Sequence, residues 1–196
     1  MNALAPLLAA TRDLVAAVPT LAEFTEDRLD GLQYRDVDPA HLPVTATLAE
    51  RMPAPGPATA ALTRVIVAAA PHVRWDQSYT EAEVGAEHLA NYGWFNVVSP
   101  SGPFVSARIR VSVGFWGRGL SYPRHRHEPE EIYCVLAGEA RFETAGRAAR
   151  EAGPGDLVHH PPGIVHGFEM RESALLVIAF WKGADLLARS TLEIEP

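Results

Sequence analysis

Three groups able to bind a metal ion fall within seven residues: His125, His127 and Glu131. They belong to the stretch GLSYPRHRHEPEEIYCVLAG, Gly119 to Gly138, with Tyr122 and Tyr133 on either side. Two imidazoles and a carboxylate form a nitrogen and oxygen donor set suited to a divalent transition metal. All three residues, and Tyr133, are odd-numbered, so an extended chain turns them to one face. Directly after Glu131 the run Ile132-Tyr133-Cys134-Val135-Leu136 reads as a strand. A solvated, charged hairpin edge is the competing reading; the shared face and the apolar continuation count against it. A fourth donor, His166, follows a second strand-like run, Gly155 to His160, and a Pro161-Pro162-Gly163 turn.

Together the two segments resemble the paired motifs of the cupin superfamily. The first is Gly, five residues, His-x-His, three or four residues, Glu, six residues, Gly, met here by Gly119, His125, His127, Glu131 and Gly138. The second is Gly, five residues, Pro-x-Gly, two residues, His, three residues, Asn, met by Gly155, Pro161, Gly163 and His166. Met170 stands where Asn is usual, a departure at a supporting position. The resemblance implies a mainly β double-stranded β-helix, a jelly-roll barrel, holding one divalent ion on His125, His127, Glu131 and His166. His/Glu sites accept Fe, Zn, Mn and related ions, so the donors do not name the metal.

The rest of the chain must position these residues. At 196 residues it is long enough for one domain with an appendage, and 47% hydrophobic residues provide a core. Residues 1–70 read as helical: Leu4, Leu7, Leu8, Leu14, Val15 and Val18 recur at helical spacing, and Ala58 to Ala70 carries Leu62, Val65 and Ile66. This region is expected to cover the barrel and to supply no ligand. Residues 71–196 are expected to be the cupin domain, mostly strands, with a short helix at Asp185 to Arg189. The clearest period of two runs from Val105 to Phe115, alternating with Ser106, Arg108, Arg110, Ser112 and Gly114. Its polar face, with Arg108 and Arg110, is expected in solvent more than around a substrate carboxylate. Ile132, Cys134 and Leu136 make the metal strand apolar on its other face too, so something must cover it: the N-terminal helices or a second subunit, as in a homodimer. Cys134 falls on that outer set and reads as packing.

Net charge −7 without a basic block excludes nucleic acid as a partner. No apolar run approaches the ~20 residues that span a bilayer. The N-terminal apolar stretch lacks a basic start and is interrupted by Arg12 and Asp13, which argues for a helix over a signal peptide. One cysteine gives no internal disulfide and fits a cytoplasmic location.

A closer resemblance narrows the chemistry. Tyr-x-x-His-x-His-x-x-x-Glu-x-Tyr, Tyr122 to Tyr133, with the distal His166, is similar to the cupin-type dimethylsulfoniopropionate lyases. So are Trp75-Asp-Gln-Ser-Tyr79-Thr, Tyr92-Gly-Trp94 and Gly102-Pro-Phe104. The resemblance implies cleavage of a small zwitterion into dimethyl sulfide and acrylate. In that reading a tyrosine is the base: Tyr122, with Tyr133 beside the metal, or the reverse, because Pro123 breaks the alternation that would decide. Trp75, Tyr79, Trp94 and Trp181 are the aromatics expected to hold the sulfonium. Two other classes fit the residues: a cupin dioxygenase or isomerase on another small carboxylate, and a cupin that binds a small molecule without turnover.

Overall fold

The computed structural model describes residues 2–193. Helices α1 (Ala5–Ala17), α2 (Pro19–Thr25), α3 (Pro43–Ala46), α4 (Leu48–Arg51) and α5 (Ala60–Ala69) fill most of the first third. Short helices α6 (Glu81–Val84) and α7 (Ala86–Ala90) precede the main strands. Pro19 is the first residue of α2, where its missing N–H costs nothing. The strands are β1 (Gln33–Tyr34), β2 (Tyr92–Ser99), β3 (Phe104–Val105), β4 (Arg110–Trp116), β5 (Ser121–Arg126) and β6 (Glu130–Ala137). They continue with β7 (Ala140–Thr144), β8 (Arg150–Ala152), β9 (Leu157–His160), β10 (His166–Glu169), β11 (Leu175–Lys182) and β12 (Thr191–Leu192). They form a seven-stranded sheet, β1-β3-β2-β4-β11-β6-β9, facing a five-stranded one, β12-β5-β10-β7-β8. This is the jelly-roll barrel of the cupins.

Alternation along β4, β6 and β11 sends one set of residues out and the other in. Val111, Val113, Phe115, Ile132, Cys134, Leu136, Ile178 and Phe180 pack outward, in one cluster with Leu7, Leu21, Leu62 and Ile66 from the helices. Burying each such Leu, Ile or Phe contributes about 1.5–3 kcal/mol, so the helical layer and the sheet stabilise each other. Thr59, at the head of α5, donates its hydroxyl to the Leu136 carbonyl at 2.6 Å. The chain's own helices therefore cover the outer face of β6. The inward set, including Tyr92, Trp116, Tyr122, Tyr133, Phe142 and Phe168, makes a second cluster between the sheets.

Four expectations need correction. The run from Val105 to Phe115 is broken at residues 106–109, so β4 begins at Arg110. The polar face of β4 looks into the barrel, and Arg110 is 9% exposed, not solvated; Arg108 alone is at the surface, ion-paired with Asp27. Helices α6 and α7 interrupt the expected all-strand part, and β1 from the helical part extends the large sheet through β3. Residues 185–189 hold only a turn at 186–187, with no helix.

The motif glycines have a steric reason. Gly138 ends β6 at φ 80°, and a Cβ there would lie 1.9 Å from the Ala174 carbonyl oxygen. No residue with a side chain fits.

Candidate metal centre and active site

Three strands and the loop after one of them bring the donors together. β5 and β10 pair antiparallel with His125 opposite His166, and His127 follows the end of β5. β6 places Glu131 opposite Trp181 on β11 and opposite His160 on β9. All four expected ligands are buried, between 1% and 6% exposed. Their imidazole rings converge, with centroids 4.3 Å apart for His125 and His166 and 5.0 Å for His127 and His166.

Each histidine is oriented by a carbonyl two residues away. The Nδ1 atoms of His125, His127 and His166 lie 2.8, 2.9 and 3.0 Å from the carbonyl oxygens of Pro123, Pro129 and Ile164. A carbonyl accepts only, so each Nδ1 carries the proton and each Nε2 keeps its lone pair for a metal. Glu131 Oε2 lies 3.1 Å from His127 Nε2 and 3.2 Å from His166 Nε2. The His166 contact is not aligned as a hydrogen bond, which leaves a buried ring nitrogen without a partner. An orphaned Nε2 beside a carboxylate, two further imidazoles and no competing lysine fit a divalent ion of the N/O-binding kind.

The local electrostatics favour ligation. Burial, reinforced by the neighbouring His166, pushes His125 well below its usual range, so it is neutral. Burial alone would raise the Glu131 carboxyl, but His127 and then His166 hold it well below the usual carboxylate range. Trp181 Nε1 donates to the other oxygen, Glu131 Oε1, at 2.5 Å. The Trp181 ring also stacks on His127, with centroids 4.0 Å apart and an interplanar angle of 29°.

Sequence reasoning missed His160, which is fully buried and contributes a nitrogen near Glu131 and His166. Its ring lies on that of His166, with centroids 3.9 Å apart and planes 14° apart. An ion sits in the plane of the ring that binds it, so near-parallel rings cannot both reach one ion. Burial, then the neighbouring His166, pushes His160 down to about 3, and its Nδ1 lies 3.3 Å from the Thr144 hydroxyl. It packs behind His166. The doublet His159-His160 offered no spacing that separated it from surface histidine; His159 is indeed outside, paired with Glu130.

A cavity of about 420 Å³ opens from the donors, lined by Tyr122, His125, Glu131, Tyr133, Trp94 and Trp181 among others. Tyr122 packs edge-on to His125 at 4.7 Å, and its Oη is 3.5 Å from that of Tyr92, which in turn is 3.0 Å from the Ser78 hydroxyl. Burial, then Tyr79, pushes the Tyr122 phenol well above its ordinary range; burial, then the Glu131 carboxylate, does the same for Tyr133. Of the four expected substrate aromatics, Trp94 and Trp181 line this cavity. Tyr79 is buried behind it, tilted on Tyr122 at 5.8 Å. Trp75 does not reach it: the indole is 3% exposed in the outer core, against Phe95, and donates to the Ala70 carbonyl. One face of Trp94 and one of Trp181 is already taken, because the Arg110 guanidinium carbon lies 4.6 Å from the Trp94 ring and from the Trp181 ring.

Comparison with known proteins gives one answer. The family model described as dimethylsulfoniopropionate lyase matches residues 20–177. The dimethylsulfoniopropionate lyase DddQ of Ruegeria pomeroyi is 33% identical over 177 residues, 90% of this chain and 88% of that one. Its crystal structure superposes with a TM-score of 0.89 at 32% identity, covering 97% of this chain and 95% of that one. A structure from a study of the lyases RdDddP and RnDddQII reaches 0.94 at 36% identity, over 98% of both chains. The motif pair, the barrel and these likenesses agree: the chain belongs to the dimethylsulfoniopropionate lyase family.

Proposed function

We propose that this chain is a metal-dependent lyase that cleaves dimethylsulfoniopropionate by β-elimination to dimethyl sulfide and acrylate, with Tyr122 as general base. The observation that carries the reading is the placement of two buried phenols and a preformed His/Glu donor set on one cavity. One divalent ion (Fe, Zn or Mn) on His125, His127, Glu131 and His166 would supply Lewis acidity at the substrate carboxylate and favour the phenolate of a nearby tyrosine.

The chain's own residues do the rest. Tyr122, as phenolate, takes the proton on the carbon next to the carboxylate. The electron pair released forms the carbon–carbon double bond as the carbon–sulfur bond breaks, and dimethyl sulfide leaves with that bonding pair. Tyr92 and Ser78, in line behind the Tyr122 hydroxyl, offer the proton a way out. Tyr133 stands beside Glu131, whose negative charge opposes its ionisation, and tunes the metal side of the site. Tyr122, Tyr133 and Glu131 are each buried, so little water competes for them, which strengthens each of these interactions. Residues 1–70 serve as the outer cover and residues 71–196 as the catalytic barrel. The buried, unpaired Cys134 supports a reducing, cytoplasmic place of action.

The test is headspace dimethyl sulfide from purified, metal-loaded protein under anaerobic conditions. Release without oxygen separates the lyase from a cupin dioxygenase, and turnover separates it from a binding protein. Tyr122→Phe should lose about 10²–10⁴-fold in kcat while keeping its metal. Near-normal turnover by Tyr122→Phe, with near-total loss in a metal-replete Tyr133→Phe, would make Tyr133 the base.

A further inference from the structure

Arg110 is the buried cation of the cavity. It is the first residue of β4, pointing inward, and lies opposite Trp181 in the β4–β11 register. Its guanidinium is held between two indoles, 4.6 Å from Trp94 and from Trp181. Nε donates to Asn96 Oδ1 at 2.9 Å, and Nη1 to the Leu186 carbonyl at 3.4 Å. These contacts fix the fork and compensate part of its lost hydration. No carboxylate pairs with it among the described residues. Glu131, the buried acid of the same cavity, accepts from Trp181 at Oε1 and turns Oε2 towards His127 and His166. A rigid, desolvated guanidinium with N–H groups left over, facing a cavity, is the arrangement that recognises a carboxylate.

We propose that Arg110 is a specificity-determining residue: it binds the carboxylate end of the substrate and so fixes which way round a zwitterion lies. The identity of the zwitterion rests on the lyase reading; the anion subsite does not. A carboxylate has two oxygens, enough for the guanidinium on one side and the ion that the donor set would hold on the other. Arg110 also occupies one face of Trp94 and one of Trp181 and repels a second cation there. The sulfonium end is therefore directed to the other end of the same two strands, where Trp116 of β4 and Tyr92 of β2 pack against Tyr122 at 5.0 Å and 5.6 Å. Among the described residues no guanidinium lies over the Trp116, Tyr92 or Tyr122 ring; Arg189 lies over Tyr79.

Binding of propionate and of trimethylsulfonium to the zinc-loaded protein separates the two ends without requiring turnover. Arg110→Gln, with zinc content equal to wild type, should weaken propionate by about tenfold or more. Trimethylsulfonium should bind as well as before or better. Arg110→Lys keeps the charge but not the fork, and should lie between. Unchanged propionate affinity in a folded, zinc-replete Arg110→Gln overturns the proposal. If that variant does not fold, Arg110→Lys decides: propionate affinity equal to wild type overturns it, and a several-fold loss at equal zinc sustains it. Dimethyl sulfide release by the wild type tests the lyase reading separately, so weakened propionate binding without any sulfide would remove that reading and leave the subsite standing.

Discussion

Replacing Trp181 by phenylalanine isolates one hydrogen bond at the metal site. Trp181 does three things: it stacks on His127, carries Arg110 on its ring, and donates Nε1–H to Glu131 Oε1. Phenylalanine keeps an aromatic face for the first two and loses the third. Glu131 is 1% exposed, so water does not replace the donor freely. A hydrogen bond to a charged group is worth about 1.5–3 kcal/mol net, and each 1.4 kcal/mol is about tenfold. Loss of outer partners of metal ligands typically costs about 10–100-fold in metal affinity. Trp181→Phe should therefore weaken zinc binding by about 10- to 100-fold, measured by competition with a chromophoric chelator at fixed pH. The metal-free variant should melt within a few degrees of the metal-free wild type, because the ring remains. Zinc affinity within twofold of wild type, in a variant with native circular dichroism, would refute the role given to this bond.

Four other outcomes follow from the packing. A Cβ on Gly114 would stand 2.4 Å from the Trp116 ring, so Gly114→Ala should displace that indole, cost about 1–3 kcal/mol by denaturant titration, and disturb the wall made with Tyr122. Burial, then Asp156, pushes the Cys134 thiol up to about 12. The native protein should thus resist a thiol reagent at pH 8 and react once unfolded; rapid native labelling would contradict the buried placement. The same shift means that stability from this group is complete below the unfolded thiol's pKa, roughly 8.5, and falls as pH rises from there towards 12, because only the unfolded chain releases the proton; Cys134→Ala should flatten that alkaline slope. A chain beginning at Pro71 should aggregate, since Ile132, Cys134 and Leu136 lose their cover; a monodisperse fragment with the full-length thermal midpoint would show that the helices do not stabilise the barrel.

Local chemistry made much of the site legible in the sequence. His125, His127 and Glu131 share a face because a strand repeats every two residues, and the glycines of both motifs mark turns that spacing alone reveals. The double apolar pattern of Ile132 to Leu136 announced a strand buried on both sides. Arg110 was not legible, because a polar face on an alternating strand means solvent in an open sheet and cavity in a closed barrel. Closure brings β11 beside β4, and only then does Trp181 meet Arg110 on one side and Glu131 on the other. Trp75 and Trp94 are equally aromatic in sequence, yet one faces the helices and the other the cavity. His160 depends on pairing as well: it is brought to Glu131 by the β6–β9 register, a contact between residues 29 positions apart. The sequence by itself determined the donor types, their shared face and the turns between them, since those follow from backbone periodicity and steric limits at glycine and proline. Which polar residues meet one another was decided by the tertiary structure, because whether a face is inside or outside is a property of the closed barrel and not of any single strand.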